Sequence, residues 1–410
     1  MENHYNYASY NMDIDIDICD KSLIQRHTYN KNDVQYNILN YDTKMICFDD
    51  QISSRYRSII VSTPENQIIS FSPPKSLSFT FFMMRNPIFH SNIYINEWIE
   101  GVMVNLFFDK RIQKWEISTK SALGGQCYFY YNQRTCENIN NKTTFYEMFM
   151  DALKIDRHRQ LNDIPMLAYF DKNYSYSFVL QHPDNHIVIK HTIPKLYLVG
   201  VYDINIFNRV ISIPPNVFEH WNIFQGLIDF PKQYNMFNYK EIMDQVNLFR
   251  CEKGLMITDL NTGERASAIN PRYEQYKKIR KINANIYYQY LCLRYTGKIE
   301  SFLTDFSSYE KLFYELEITY KQYILDIHSS YLSFYVKKEG RTIDDRFMYH
   351  IKRIHTDHYI PALRNKAITK PKIRKEDVDK YFRNLDPKEQ LYHLYYDSRK
   401  FSIVDSLQND

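Results

Sequence analysis

From Tyr56 to about Thr258 the chain alternates short β-branched and aromatic runs with polar stretches: Arg57–Ser62, Gln67–Phe71, Val102–Phe108, Trp115–Thr119, Tyr174–Leu180, His186–Ile189 and Leu196–Tyr202. Runs of this length with a two-residue period predict strands of largely antiparallel type, several joined by hairpin-length loops. Val102 to Thr119 is the clearest case, because two alternating runs flank the polar loop Asp109–Lys114. Helical periodicity interrupts at Thr144–Ile155 and Tyr239–Phe249. This part of the chain therefore reads as α+β.

After Asn270-Pro271 the texture changes. Arg272–Thr296, Lys298–Asp305, Glu310–His328 and Arg346–Arg364 carry a 3.6-residue period, which predicts a separate, mostly helical C-terminal domain. Residues 1–45 are polar, and the Asp/Ile alternation at Asp13–Ile18 fits either an edge strand or an unstructured arm. The expected organisation is a polar extension (1–45), an α+β domain (46–270) and a helical, basic domain (271–410), with a basic linker at Thr369–Glu376. No period of 20–50 residues repeats, which excludes solenoids and propellers.

Of the 410 residues, 44% are hydrophobic and 24% charged, a globular composition. Residues 271–410 hold 26 Lys+Arg against 19 Asp+Glu, a net +7, which leaves −3 for residues 1–270. Such an excess suits either a phosphate backbone or a solvated helix face. The six cysteines form no C-x-x-C pair, and neither they nor the pair His355/His358 complete a metal site, so no metal is expected. No run of 18 apolar residues occurs and the first 25 residues lack a signal-peptide plan, so the sequence predicts an intracellular, cytoplasmic protein without a membrane partner.

No phosphate loop, G-x-G-x-x-G, H-E-x-x-H or G-x-S-x-G is present. A composite pattern is: Arg57-Ser-Ile-Ile-Val, Ser70-Phe-Ser-Pro-Pro-Lys75, Glu100-Gly101-Val-Met-Val, Ile117-Ser-Thr-Lys120, Phe178 through Val188, Leu196-Tyr-Leu-Val-Gly-Val and Lys253-Gly-Leu-Met-Ile257. In this order the segments, spanning roughly residues 50–280, resemble the adenylyltransferase domain of phage-type RNA ligases and related proteins of large DNA viruses. The resemblance implies two antiparallel sheets with a nucleotide between them, and a lysine in a K-x-D/N-G motif that attacks the α-phosphate of ATP.

The charged positions of that pattern are altered. Aligning Glu100-Gly101 on the acidic-Gly pair puts Trp98 at the nucleophile, and an indole cannot form a phosphoramide. The glutamate of F-E-x-V falls on Val179, that of E-G-hydrophobic-V on Lys253 (or on Glu252 with one extra residue), and the K-x-K lysines on Ser267 and Ile269. Four such losses with the apolar framework retained predict a ligase-like pseudoenzyme. Arg57, Lys75, Glu100, Gly101 and Lys120 stand where the resemblance places groups near the nucleotide, with ATP and Mg as the implied ligands if the pocket is retained. Four of them also have a plainer reading: Lys75 as a surface lysine after two prolines, Lys120 as a strand end, and Glu100-Gly101 as a turn into a strand.

In the helical part, Lys277, Lys278, Arg280 and Lys281 interleave with tyrosines including Tyr273, Tyr276, Tyr288 and Tyr290. Tyrosine stacking and lysine–phosphate contact suit single-stranded RNA, whereas the same spacing packs tyrosines in a core with lysines facing solvent, the reading favoured for most of these tyrosines. Three functions follow: a noncatalytic RNA- or protein-binding component, an active ATP-dependent RNA ligase with Lys75 or Lys120 as displaced nucleophile, or a protein scaffold without a nucleic-acid role.

Overall fold

The computed structural model describes residues 10–14, 16, 23–42, 51–127, 143–185, 187–221, 224, 226–282, 286–339, 343–364 and 371–394. Two compact units divide at Lys277/Lys278, inside the helix Pro271–Ile282. The first carries the strands β1 (Tyr10–Asp13), β2 (Ile24–Lys31), β3 (Val34–Tyr41), β4 (Ile59–Thr63), β5 (Ile68–Ser70), β6 (Leu77–Ser78), β7 (Ile93–Glu97), β8 (Val102–Asp109), β9 (Lys114–Ser118), β10 (Tyr174–Gln181), β11 (Lys195–Ile204), β12 (Arg209–Ile213), β13 (Gly254–Asp259) and β14 (Arg265–Ile269).

They form three sheets, ordered β1-β12-β11-β10-β8-β9, β6-β14-β13-β7 and β2-β3-β4-β5. Every pairing is antiparallel except that of β6 with β14. The expected α+β architecture, with largely antiparallel sheets and a helical C-terminal part, is what the chain adopts.

Within the polar extension expected over residues 1–45, the described segments Tyr10–Asp13, Ile24–Lys31 and Val34–Tyr41 are strands of the sheets. β1 pairs with β12, and β2 and β3 form a hairpin that continues onto β4. The turn is Asn32-Asp33, both at positive φ (51° and 61°), a type I′ geometry that Asn and Asp tolerate and that matches strand twist. β3 is polar in composition, yet Tyr36, Ile38 and Leu39 are buried there, and Tyr36 and Ile38 join Ile60 and Phe107 in one core. Asp15 and residues 17 and 18 of the Asp/Ile arm lie outside the described residues.

The run His186–Ile189 is not a strand: His186 is outside the described residues, and the amides of 187–189 are taken by a carboxylate described below. The helix Phe145–Ala152 starts where expected because Thr144 and Glu147 cap each other's backbone amides. It packs against the core under the six-stranded sheet, which includes Phe149, Leu153, Tyr176 and Phe178. Asn238 caps the second expected helix, Tyr239–Leu248, whose Ile242 and Val246 pack with Leu255 and Ile257 of β13.

The second unit is helical, with Ile286–Tyr295, Ile299–Asp305, Glu310–Tyr331, Asp345–Ile354 and Lys375–Arg383 as its main elements. Its core is aromatic: Tyr288, Tyr290, Phe302, Tyr309, Phe313, Tyr320, Tyr323 and Phe382 are all buried. Tyr273 and Tyr276, in the first unit, are buried as well. Packing therefore accounts for most tyrosines interleaved with the basic residues, while Tyr295 is 53% exposed. His355 stacks on Tyr335 at 3.8 Å and accepts or donates a hydrogen bond with Tyr331 (3.2 Å), and His358 lies edge-on to Tyr381. No helix among the described residues is long and apolar enough to cross a membrane.

Candidate functional site

A cavity of about 290 Å³ opens between the six-stranded sheet and the sheet of β7, β13 and β14. One wall comes from Met103 of β8, Val179 of β10, Val199 and Tyr202 of β11 and Ile213 of β12. Facing it are Glu97 and Trp98 at the end of β7, Lys253 before β13 and Arg265 on β14. Arg57, Lys75 and Lys277 complete its cationic lining.

Register explains the central contact. Leu255 pairs with Glu97, and the Trp98 amide donates to the Gly254 carbonyl (2.9 Å), so Lys253 comes opposite Trp98 and Ile99. Its Nζ lies 4.1 Å from the centroid of the Trp98 ring and donates to the Ile99 carbonyl oxygen at 3.4 Å. Gly254 permits the close pairing of β13 with β14 next to this contact: a Cβ there would sit 2.1 Å from the Ala268 carbonyl oxygen. Asn270 ties the segment down. Buried, it donates to the carbonyls of Phe249, Arg250 and Glu252 and accepts from the Arg272 amide, joining the loop before Lys253 to the helix that carries Lys277.

Burial pushes the Lys253 ammonium down to about 7; Glu100 opposes this, and Lys277 and Arg57 reinforce it. Burial likewise lowers Lys120, with the neighbouring Arg57 and Lys75 adding to the effect. Lys120 and Lys75 stand over the Tyr41 ring at 4.5 and 5.9 Å, so Arg57, Lys75 and Lys120 do meet in space, although Lys120 does not line the cavity. Burial holds the Arg265 guanidinium below its usual range, and its Nη1 has no hydrogen-bond partner. Glu97 is the cavity's one lining carboxylate among the described residues, and burial raises its pKa.

Glu100 is committed elsewhere. Its carboxylate is fully buried and accepts from the amides of Ile187, Val188 and Ile189 at 3.0 to 3.2 Å, with His191 Nε2 at 3.8 Å. It therefore does not face the cavity as a ribose or metal ligand. Gly101 lines the cavity, but its role is steric: a Cβ would lie 2.4 Å from the Leu180 carbonyl oxygen. Glu252 accepts from the Arg250 and Cys251 amides, so it caps its own loop and leaves Lys253 in the cleft. Val179 lines the cleft as an aliphatic surface, and Ser267 Oγ accepts from Ser76 Oγ at 3.1 Å.

Of the basic RNA candidates, Lys277 reaches the cleft, Lys278 is exposed and opens the second unit, and the side chains of Arg280 and Lys281 lie outside the described residues. Sequence reasoning treated Lys253 as a lost glutamate and did not single out Arg265. The available signal for Lys253 was its place before a glycine that starts a strand, the relation Glu100 has to Gly101.

No family model and no curated protein sequence matches the chain. Among solved structures it is similar to an archaeal ATP-dependent RNA ligase, form 1 (9% identity, TM-score 0.40, 69% of this chain) and form 2 (11%, 0.41, 68%), each match covering 66% of the archaeal chain. It is also similar to the Naegleria gruberi RNA ligase with PPi, at 11% identity and TM-score 0.35, covering 51% of this chain and 58% of that one. This chain thus spans less than two thirds of the length of each.

The cleft suits a phosphate-rich anion. Five cations, Arg57, Lys75, Lys253, Arg265 and Lys277, face one carboxylate, and the aromatic surfaces of Tyr41 and Trp98 flank them. ATP fits this donor set. A protein-held Mg²⁺ does not, since Glu97 is the single carboxylate available; a metal there would have to arrive on the ligand's phosphates.

Proposed function

We propose that the chain is an RNA-ligase-like protein of nucleotidyltransferase architecture that binds a nucleoside polyphosphate in this cleft without a nucleophile at position 98. It serves as an RNA- or protein-binding component, in a viral or plasmid-like gene-expression machine. The observation that carries the reading is the convergence of Arg57, Lys75, Lys253, Arg265 and Lys277 on one cavity in which Glu97 is the one lining carboxylate among the described residues. Calorimetric titration with ATP and pyrophosphate tests it. Wild type should bind both, and Lys75→Glu should abolish binding while leaving the fold intact by circular dichroism. Unchanged binding by that variant would refute the placement.

A second reading is favoured by one observation: a lysine whose ammonium is pushed to about 7 sits in a phosphate-binding cleft. In this reading Lys253, in place of Lys75 or Lys120, attacks the α-phosphate. An N–P bond forms, the P–O bond to pyrophosphate breaks, and the amine proton passes to solvent. Incubation with α-labelled ATP and magnesium, followed by a denaturing gel, separates the two. Acid-labile, alkali-stable label lost in Lys253→Met establishes catalysis at Lys253; no label, beside an active ligase control, leaves the noncatalytic reading.

A further inference from the structure

Lys253 carries an amine that no carboxylate serves. Its Nζ lies over the Trp98 indole (4.1 Å to the ring centroid) and donates to the Ile99 carbonyl at a long 3.4 Å. Among the described residues no carboxylate comes within ion-pairing distance of it. Glu100 is held by three backbone amides and Glu252 by two others, while Glu97 faces Lys232 and Lys195. Arg57 and Lys277 share its cavity instead, so cations surround a cation. We propose that Lys253 is a reversible carbamylation site, at which dissolved carbon dioxide converts the amine to a carbamate held by Arg57 and Lys277, and that this adduct closes the cleft to polyphosphate. The closure rests on the polyphosphate reading above; the adduct itself does not.

The step balances. The lone pair of the neutral amine forms an N–C bond to the carbon of carbon dioxide, one C–O π pair moves onto oxygen, and an N–H proton passes to solvent. The carbamate nitrogen keeps one N–H, enough to preserve the bond to the Ile99 carbonyl. Access comes through the cavity of about 290 Å³ that Lys253 lines. Only the neutral amine reacts, and its surroundings favour that form: burial brings the ammonium to about 7, with Lys277 and Arg57 assisting against Glu100. At pH 7.5 roughly three quarters of such amines are neutral, against about one in a thousand for an ordinary lysine.

The same two cations act on the product with the opposite sign. They repel an ammonium and attract a carbamate, which leaves two anions, itself and Glu97, among the four cations Arg57, Lys75, Arg265 and Lys277. Arg57 is central to this, since its charge is felt at Lys253, Arg265 and Lys120 alike. A carbamate here repels phosphate and occupies Arg57 and Lys277, two of the cations that phosphate needs. Its nitrogen lone pair is delocalised into the carboxyl group, so Lys253 in this state cannot attack phosphorus either.

The test uses the full chain at pH 7.5, in degassed buffer or with millimolar bicarbonate, ionic strength being matched with chloride. Triethyloxonium traps carbamates as stable esters, and peptide mass spectrometry reads the fraction trapped at each lysine. Wild type should show an ester at Lys253 that disappears when the sample is degassed before trapping. Arg57→Gln should lower that fraction several-fold, because it removes the carbamate's partner and also relieves the repulsion of the ammonium. Lys277→Gln should do the same, and serves if Arg57→Gln does not fold. ATP titration in parallel reads the closure: a site about two-thirds carbamylated leaves about one third competent, so apparent affinity should fall about threefold. Lys253→Met should lose this dependence, and any bicarbonate effect it retains measures direct competition between anions. No ester at Lys253 in folded wild type, or a fraction unchanged in the folded variants, would overturn the site. An ester beside an ATP affinity indifferent to bicarbonate would overturn the closure. Absence of ATP binding with the ester present would remove the polyphosphate reading and leave the carbamate standing.

Discussion

Lys253 makes the stability of the unliganded protein and its affinity for phosphate depend on pH in opposite directions. Its ammonium titrates at about 7 in the folded chain, against an ordinary lysine value of 10.5. Between these two values the unfolded chain binds more protons than the folded one, so stability rises with pH through this window. From pH 7, where the folded amine is half protonated, to pH 8.5, where it is almost neutral, the gain is about 1.5 kcal/mol. Anion binding favours the charged amine, so affinity for a polyphosphate should fall over the same interval, by up to roughly tenfold for this one proton. The assay is urea unfolding at pH 7.0, 7.5, 8.0 and 8.5 for wild type and Lys253→Met, paired with ATP titrations at the same pH values, where ATP is largely ionised. The difference between the two proteins isolates the lysine from every other titrating group. Parallel stability curves for wild type and variant would refute the buried-amine reading. So would a wild-type affinity whose pH dependence survives in the variant.

Two further substitutions test the scaffold around the cleft. Gly101→Ala places a Cβ 2.4 Å from the Leu180 carbonyl and 2.7 Å from Val179 Cγ1, and neither β8 nor β10 can yield freely; a loss of about 2 to 3 kcal/mol in urea unfolding is expected, with ATP affinity weakened through the displaced Val179 wall. Asp109→Asn breaks a fully buried carboxylate's pairing with Arg111 (Oδ2 to Nη2, 2.8 Å); burial opposes ionisation of Asp109, yet the Arg111 hydrogen bonds outweigh it and hold the pKa below the ordinary value of 3.8. Losing that charge should cost about 3 kcal/mol at pH 7, and the cost should shrink only as pH falls below the unfolded-state value of 3.8 toward the lower folded one, as chemical denaturation can show.

Much of the fold was legible where one physical signal dominates. The hairpin of β8 and β9 followed from two alternating runs around a polar loop, and the helix at Phe145 from the helical periodicity over Thr144–Ile155. The hairpin of β2 and β3 was missed because its strands are rich in Asn, Gln, Tyr and Lys, so alternation was hidden; the Asn32-Asp33 turn was the readable clue. His186–Ile189 looked like a strand because its residues are β-branched, but amide pairing there goes to Glu100, more than eighty residues upstream, which no local pattern reports. The site was legible only in pieces. Arg57, Lys75 and Lys120 were each identifiable beside a strand, but the meeting of Lys253 with Trp98 depends on the pairing register of β13 with β7. That register is a long-range property, and it turns an apparent loss of charge at two separate positions into a contact between them.

The cleft's cations are drawn from Arg57 through Lys277, and one of its lining residues, Met12, sits on a strand paired with β12. During synthesis, therefore, nothing resembling the finished site can exist until almost the whole first unit has left the ribosome, and the earliest residues must wait for Arg209–Ile213 before β1 finds its place. Until then β11 exposes an unpaired edge, a template for association with other nascent chains. Late closure of this kind ties ligand competence to completed folding: a chain that has acquired the cleft has already assembled its widest sheet.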